Sequence, residues 1–247
     1  MSFDYHSVAG DYQYRALYSG HPMQRFWHRG KLVMINQLIR PHLRAGSRLL
    51  EIGCGAGNLL LQATVAGSYP VALDLSMQAL TFVRSRLEEA QDSWEAPHDF
   101  ACTQAIGESL PFPEDTFDCI LLSEVIEHLE APEISIREAV RVLCPGGRLL
   151  ITTPNYRSFW PLMEWAVDRL NMAPKMAGEQ HISRFHPSSL KKMLVESGLR
   201  VEYAGSIYNL SPFISLISLE RANRQLQREL SRRSALGMIL VAVAVKP

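Results

Sequence analysis

Short apolar runs typical of buried β-strands alternate with amphipathic segments typical of helices along most of the chain. The runs occupy residues 48–52, 70–73, 100–105, 119–122, 148–152, 199–204 and 238–245. Such alternation is typical of mostly parallel strands whose sheet is covered by helices on both faces. We therefore predict an α/β fold with a doubly wound sheet.

The predicted helices have recognisable ends. A helix at 58–66 follows a glycine-rich loop, and the Ser76 hydroxyl can cap a second helix that runs to residue 90. Pro132 suits the first turn of a third helix, which Cys144 and the Pro-Gly-Gly after it bring to an end. A fourth helix spans 188–197 and is closed by Gly198.

The chain of 247 residues is long enough for one large domain with a buried core. We divide it into an N-terminal helical cap at 1–44 and a main domain at 45–247, with insertions at 155–180 and 207–233. Segments added at the mouth of such a sheet often build substrate specificity. Plain packing or a homodimer contact would explain them equally well.

Composition and charge exclude several kinds of protein. The formal net charge is zero, which disfavours nucleic acid as a partner. The first residues lack a secretory signal pattern, and the longest apolar run, 238–245, is too short to cross a bilayer. Four scattered cysteines have no spacing suited to zinc or a redox pair. We expect a cytoplasmic protein without a transmembrane segment.

The loop after the first predicted strand has the glycine pattern of a cofactor site. Glycines at 53, 55 and 57 allow a tight turn and close approach of a ligand. A pyrophosphate-binding loop would have its third glycine at position 58, where this chain has Asn58. Glu51 would also repel a pyrophosphate but would attract a ligand with an amino group and a sulfonium. Asp74, at the end of the second strand, can accept both hydroxyls of a ribose.

Four blocks in order, at residues 50–57, 72–76, 107–118 and 142–155, resemble the class I S-adenosylmethionine-dependent methyltransferases. The resemblance covers roughly residues 47–204 and is greatest to the small-molecule group that includes ubiquinone-biosynthesis O-methyltransferases. It implies a Rossmann-like, seven-stranded sheet whose last strand is antiparallel. It also implies S-adenosylmethionine as cofactor and a small-molecule acceptor as substrate.

The resemblance also implies a set of cofactor-binding residues. Glu51, Gly53, Cys54 and Gly55 would face the methionine end, and Asp74 the ribose. The remaining members of the set are Leu75, Gly107, Glu108, Ser123 and Glu124. Many relatives have an Asp that accepts from the adenine amino group at the position of Ile106. Ile106 can only pack against the ring, so backbone groups of Gly107 and Glu108 would read the base.

Candidates for acid–base work follow the fourth predicted strand. On a helical turn, Glu124, Glu127 and His128 would share one face. Such a face resembles the metal-binding segment of ubiquinone O-methyltransferases and small-RNA 2′-hydroxyl methyltransferases, with His181 as a further ligand. A divalent metal is not favoured, because many metal-free relatives share the Glu-His pair. In the favoured interpretation Glu124 touches the cofactor, and His128 and His181 are the catalytic candidates.

Other residues allow two interpretations. His186, Trp160 and Trp165 could line an acceptor pocket. However, a His before Pro more often starts a helix, and Trp pairs are more often core or dimer contacts.

The late helix carries four arginines on one face: Arg221, Arg224, Arg228 and Arg232. They could meet an anionic headgroup or RNA phosphate, although a solvated face is the simpler account.

The sequence therefore predicts methyl transfer to a small molecule, at the hydroxyl oxygen of a quinone, lipid-like or natural-product acceptor. An RNA-modifying methyltransferase and a non-catalytic S-adenosylmethionine-binding protein are the alternatives. The first is disfavoured by the neutral charge. The second is disfavoured because the loop glycines and Asp74 are all present.

Overall fold

The computed structural model describes residues 9–91, 99–169 and 181–247. Within these residues seven strands form one sheet, in the order β3-β2-β1-β4-β5-β7-β6. The strands are β1 Arg48–Ile52, β2 Tyr69–Asp74, β3 Ala101–Gln104, β4 Phe117–Ser123, β5 Leu143–Pro154, β6 Arg200–Ile207 and β7 Ile239–Val245.

Six strands are parallel, and β7 runs antiparallel to both of its neighbours, β5 and β6. This confirms the predicted sheet and its antiparallel last strand. The register places Leu50 of β1 between Val71 of β2 and Ile120 of β4. All three side chains are buried, as expected for central strands covered on both faces.

Nine α-helices lie within the described residues. They are α1 Tyr12–Tyr18, α2 Pro22–Leu38, α3 Asn58–Ala63, α4 Met77–Gln91, α5 Pro132–Val142, α6 Trp160–Arg169, α7 Pro187–Glu196, α8 Ser211–Ser215 and α9 Leu219–Arg232. Short 3-10 helices span Arg40–His42 and Ile126–His128. Along these described segments, none of the helices has the length and apolar character needed to cross a bilayer.

Two hydrophobic clusters lie on opposite faces of the sheet. Helices α2, α3, α4 and α9 contribute side chains to the cluster that contains Leu49 and Leu121. Helices α5 and α7 contribute to the cluster that contains Leu50 and Ile120. Because successive side chains of a strand point to opposite faces, both clusters draw on the same strands. The sheet is therefore doubly wound.

Several predicted boundaries need correction. The helix after the glycine loop ends at Ala63 rather than at residue 66, because Thr64 is already extended, with ψ of 131°. The fifth strand is longer than predicted and includes the Pro-Gly-Gly segment that follows α5. Ser76 caps its helix as predicted, since its Oγ accepts from Ala79 N at 3.3 Å.

The predicted insertion at 155–180 contains α6, and its residues 170–180 lie outside the described part of the chain. The division at residue 44 stays a prediction.

Candidate active site

The carboxyl ends of β1 and β4 define the site. These strands are neighbours in the sheet, but the chain leaves them towards opposite sides, to α3 and to α5. A crevice opens where the connections diverge in this way, and ligands of doubly wound sheets bind there. The glycine loop at 53–57 leaves β1 at this point, and residues 124–128 leave β4 beside it.

The glycine loop is built from left-handed residues. Gly53, Gly55 and Gly57 have φ of 69°, 49° and 69°, a region that other residues enter at a cost of about 1–2 kcal/mol. A Cβ on Gly53 would lie 2.5 Å from Cγ2 of Val125, so the segment after β4 packs directly against the loop. Cys54, the other predicted loop residue, is buried. The loop therefore presents backbone to the crevice.

Asp74 ties the loop to the end of β2. Its Oδ2 accepts from Gly55 N and its Oδ1 from Ser76 N, both at 2.8 Å. A carboxylate oxygen has two acceptor sites, so each oxygen can still accept a ribose hydroxyl. The placement is compatible with the predicted ribose contact and adds a structural role in holding the loop.

Glu51 is a buried carboxyl group at the end of β1. Its Oε2 accepts from Leu60 N in α3 at 2.9 Å. Burial raises the pKa of Glu51 to about 8, so the group holds a proton at neutral pH before a ligand arrives. A cation beside it would favour the carboxylate. Its predicted role towards the methionine end stays a prediction.

The residues predicted to contact the adenine lie at the ends of β2 and β3. Leu75 and Ile106 are both exposed there, which is compatible with their predicted contacts with the cofactor. Gly107 lies close to α5, since a Cβ would be 2.8 Å from Oγ of Ser135, and Glu108 follows it half-buried. Gln104 donates from Nε2 to the Leu75 carbonyl at 2.9 Å and links the two strand ends, a residue that we did not predict.

The prediction that Glu124, Glu127 and His128 share a helical face is wrong. Glu124 leaves β4 in the left-handed region, with φ of 56°, and its N–H still bonds to Thr152 of β5. Only Ile126–His128 form a turn of 3-10 helix. The spacing of three and four residues therefore does not align Glu124 with the other two. Ser123 bonds through Oγ to Thr152 Oγ1 at 2.7 Å.

Lys31 of α2 is the partner of Glu124. Its Nζ lies 2.5 Å from Glu124 Oε2, and the lysine side chain is 9% exposed. Burial alone would raise the pKa of Glu124, but the Lys31 ammonium outweighs it and holds that pKa below its ordinary value. The other oxygen, Oε1, is buried and has no hydrogen-bond partner among the residues that the structure describes. An unpaired buried acceptor is costly, so this atom is suited to a donor on a ligand.

His28, one turn before Lys31, adds a neutral imidazole. Burial lowers the pKa of His28 to about 4, with a further contribution from the Lys31 charge. Sequence reasoning missed both residues. No local motif marks them, because they reach the site from a helix that is distant in the chain.

Glu127, His128 and His181 converge. One ligand atom from each lies within 4.8 Å of the other two, and the two imidazole centroids are 5.0 Å apart. Burial, and then the charge of Glu124, raise the pKa of Glu127 to about 8. Glu127 Oε2 accepts from Thr153 Oγ1 at 3.1 Å. A neutral carboxyl group is a weaker metal ligand than a carboxylate, so a metal here would have to displace that proton.

His181 is oriented by Glu164, a residue of α6 that sequence reasoning also missed. The Nδ1 atom of His181 lies 2.7 Å from Glu164 Oε1 and 2.9 Å from Tyr156 Oη. A carboxylate at Nδ1 holds the proton on that nitrogen and leaves Nε2 as the acceptor. Burial raises the pKa of Tyr156, which keeps its hydroxyl protonated.

Aromatic rings border the imidazole. The Trp160 ring centroid lies 6.1 Å from that of His181 and 5.8 Å from that of Trp27. Trp165 is exposed, and no ring contact among the described residues joins it to this group. His186 does not join the cluster, because it caps α7 by accepting from Ser189 N at 3.2 Å. This agrees with its interpretation as a helix-start residue.

Helix α1 covers the glycine loop. The Gln13 carbonyl accepts from Asn58 Nδ2 at 3.1 Å, and its side chain lies against Gly55. Arg86 of α4 bonds to the Ala56 carbonyl and stacks under the ring of Tyr14, with 4.8 Å from Cζ to the centroid. Helix α1 thus lies against the loop that is predicted to bind the cofactor.

Comparisons with known proteins agree with this geometry. Residues 20–204 match a family described as a methyltransferase domain. The ubiquinone/menaquinone biosynthesis C-methyltransferase of Pseudomonas savastanoi is 31% identical over 220 residues, which is 81% of each chain. The ubiquinone biosynthesis O-methyltransferase of Aromatoleum aromaticum is 29% identical over 182 residues, 71% of this chain and 73% of that one. A SAM-dependent methyltransferase structure from Thermotoga maritima superposes with a TM-score of 0.64 at 17% identity, covering 96% of this chain and 95% of the other.

The chain therefore belongs to the methyltransferase-domain family and is an S-adenosylmethionine-dependent methyltransferase. The residues present suit that cofactor. The loop offers backbone and little side chain, and Asp74 keeps acceptor sites for a ribose. Within the described part of the chain, no donor reaches the buried Glu124 Oε1.

Proposed function

We propose that this enzyme transfers the methyl group of S-adenosylmethionine to a hydroxyl oxygen of a small quinone-like, lipid-like or natural-product acceptor. The observation that supports this proposal is the Glu164–His181 pair, an imidazole held by a carboxylate beside aromatic rings and next to the cofactor crevice. A cytoplasmic location is part of the proposal.

The cofactor supplies a methyl group on a positively charged sulfur, which is already an excellent leaving group. The protein must then align the acceptor and remove its proton. Glu51, the loop glycines and Asp74 would hold the cofactor, with Leu75 and Ile106 along the adenine. Glu124, kept ionised by Lys31, would accept a hydrogen bond from the cofactor or the acceptor through Oε1.

His181 would take the acceptor's hydroxyl proton. With Nδ1 occupied by Glu164, Nε2 would accept the proton that the acceptor's hydroxyl loses on methylation. The carboxylate stabilises the imidazolium that results. His128, whose ring lies beside His181, would position the acceptor oxygen. The rings of Trp160 and Trp27 would exclude water from an apolar acceptor.

The substitutions His181→Ala and Glu164→Gln test these roles, and His186→Asn is the matched control because it removes an imidazole that only caps a helix. We expect turnover to fall by about 100-fold in the first variant, as is usual when a general base is lost. The control should keep wild-type turnover. Equal turnover in all three variants would refute the assignment of His181.

Carbon-directed transfer is the second candidate, because the relative from Pseudomonas savastanoi is named as a C-methyltransferase. Deprotonating a phenol also activates the ring carbon next to it, so the same base would serve both reactions. Incubation with carbon-13-methyl S-adenosylmethionine and a catechol-type acceptor, followed by NMR of the product, separates them. A methoxy signal supports the proposal, and a ring-methyl signal replaces it with carbon transfer.

A divalent metal at Glu127, His128 and His181 is the remaining alternative, and it is not favoured because burial raises the pKa of Glu127 to about 8, so that a metal would have to displace its proton. A metal would bind the acceptor oxygen and lower its pKa. Turnover after treatment with a chelator decides between the two. Turnover that persists at full rate supports the metal-free route, and loss that is restored by added metal overturns it.

A further inference from the structure

The turn around α8 exposes an unusual number of apolar side chains. Five of the ten residues from 210 to 219 are large, apolar and solvent-exposed, namely Leu210, Phe213, Leu216, Ile217 and Leu219. Ile217 is 84% exposed and Leu216 is 55% exposed. Single exposed apolar residues are ordinary, but a cluster of this kind marks an interaction surface.

This turn is held rigidly in its outward orientation. The buried carboxylate of Glu229, in α9, accepts from the backbone N–H groups of four consecutive residues at 2.8–3.2 Å: Tyr208, Asn209, Leu210 and Ser211. It also accepts from the Ser211 hydroxyl at 2.9 Å. Pro212 and Ser215 of the same turn are buried. The apolar side chains are therefore presented on a fixed scaffold that is continuous with α9.

Helix α9 carries a stripe of positive charge immediately after this turn. The four arginines predicted to share a face are all exposed. Arg224 forms an ion pair, with 3.4 Å between its Nη2 and Glu220 Oε1. Within the described segments, the other three arginines of the stripe have no carboxylate at ion-pair distance. Because the whole chain has no net charge, the stripe is a local concentration of charge. We call the five apolar residues and the four arginines the α8–α9 surface.

We propose that the α8–α9 surface docks on an anionic lipid bilayer. Apolar side chains beside a row of cations are the two components of interfacial membrane binding, because the former enter the headgroup boundary while the latter meet lipid phosphates. A second copy of this chain fits less well, since a twofold contact would bring the two arginine stripes together. The phosphates of an RNA would contact the arginines, but the exposed Ile217 would add little to RNA affinity.

The surface also lies near the candidate acceptor site. Tyr208, at the start of the turn, stacks on Trp27 with centroids 4.2 Å apart, and Trp27 lies beside Trp160 and His181. Docking would bring the pocket close to the bilayer, where a lipid-like acceptor would be found. The docking itself does not depend on methyl transfer.

Flotation with large vesicles tests the proposal without cofactor or acceptor. We expect the full chain to bind vesicles of phosphatidylcholine that contain about 30% of the anionic lipid phosphatidylglycerol, because lipid phosphates attract the arginines. It should bind pure phosphatidylcholine vesicles weakly and should leave the anionic ones at high salt. Ile217→Asn should lower the partition coefficient about tenfold, and Arg224→Glu with Arg228→Glu more than about 20-fold.

Matched controls come from the opposite face of the sheet. Val195→Asn removes an exposed apolar residue of α7, and Arg137→Glu reverses an exposed arginine of α5. Both should bind like the wild type. Absence of binding to either kind of vesicle overturns the proposal, as does equal binding by all variants. A stable dimer in lipid-free solution that Ile217→Asn converts to monomer also overturns it and assigns the surface to self-association. Unchanged circular dichroism shows that each variant is folded.

Discussion

Replacing Lys31 by methionine tests the electrostatics of the site. Removing one partner of a buried ion pair costs about 3–5 kcal/mol, because the other charge stays buried and unpaired. Lys31 is 9% exposed, but Glu124 is 27% exposed, so water partly screens the charge that remains. We therefore expect a loss of about 2–3 kcal/mol in the free energy of unfolding. For a chain of 247 residues this corresponds to about 5–10 °C in Tm.

The double variant Lys31→Met, Glu124→Gln removes both charges and should recover most of the loss. The matched control is Lys192→Met, which breaks a pair whose side chains are 73% and 65% exposed. It should change stability by less than about 0.5 kcal/mol. Thermal and urea unfolding at pH 7 measure all three variants. A Lys31→Met effect as small as that of the control would refute the assignment of a buried, coupled pair.

The pH dependence of this effect has a defined sign. The pKa of Glu124 is lowered in the folded protein by Lys31, so the pair stabilises the fold above the ordinary pKa of a glutamate. That contribution is lost as the pH falls through the folded pKa. The difference in stability between the wild type and Lys31→Met should therefore shrink in acid. A difference that grows in acid would contradict the lowered pKa.

Three further changes have definite expectations. Burial raises the pKa of Glu127 to about 8, so the folded state binds the extra proton and stability falls as pH rises from about 5 to 8. In Glu127→Gln the free energy of unfolding should fall less steeply with pH, by up to about 1 kcal/mol per pH unit. Urea unfolding at several pH values measures this slope. Glu164→Gln should lower kcat about tenfold and leave the Kd for S-adenosylmethionine unchanged; a weaker Kd with an intact kcat would contradict its role in orienting His181. Gly53→Ala should cost more stability than Gly46→Ala, because both glycines have positive φ but only the first would collide with a neighbour; equal losses in thermal unfolding would exclude the collision.

The fold could be predicted from the sequence, as could the meeting of the predicted cofactor residues at one edge of the sheet, because the signals for both are local. Each apolar run is a strand, and the glycine loop, Asp74 and Ile106 all follow strand ends that parallel topology brings to one edge. Glycine spacing and a carboxylate at a strand end have the same physical meaning in any chain of this class.

The acceptor side could not be predicted in the same way. Lys31 reaches Glu124 across 93 positions of the sequence, and its position within an amphipathic helix indicates only a solvated face. Glu164 lies on a helix that interrupts the strand–helix alternation. Glu124 was misplaced because spacing alone predicts a helical turn, whereas the bond from its N–H to Thr152 keeps it at the strand end in a left-handed conformation.

Titration calorimetry of S-adenosylmethionine against the wild type and Asp74→Ala tests the central claim most directly. The cofactor should bind the wild type, and the loss of one carboxylate that holds the loop should weaken binding about tenfold or more. Asp118→Ala is the control, since that carboxylate accepts from Arg48 N at the start of β1. Its affinity should equal that of the wild type, and NAD should not bind. Unchanged affinity in Asp74→Ala, or binding of NAD as tight as that of S-adenosylmethionine, would contradict the assigned site.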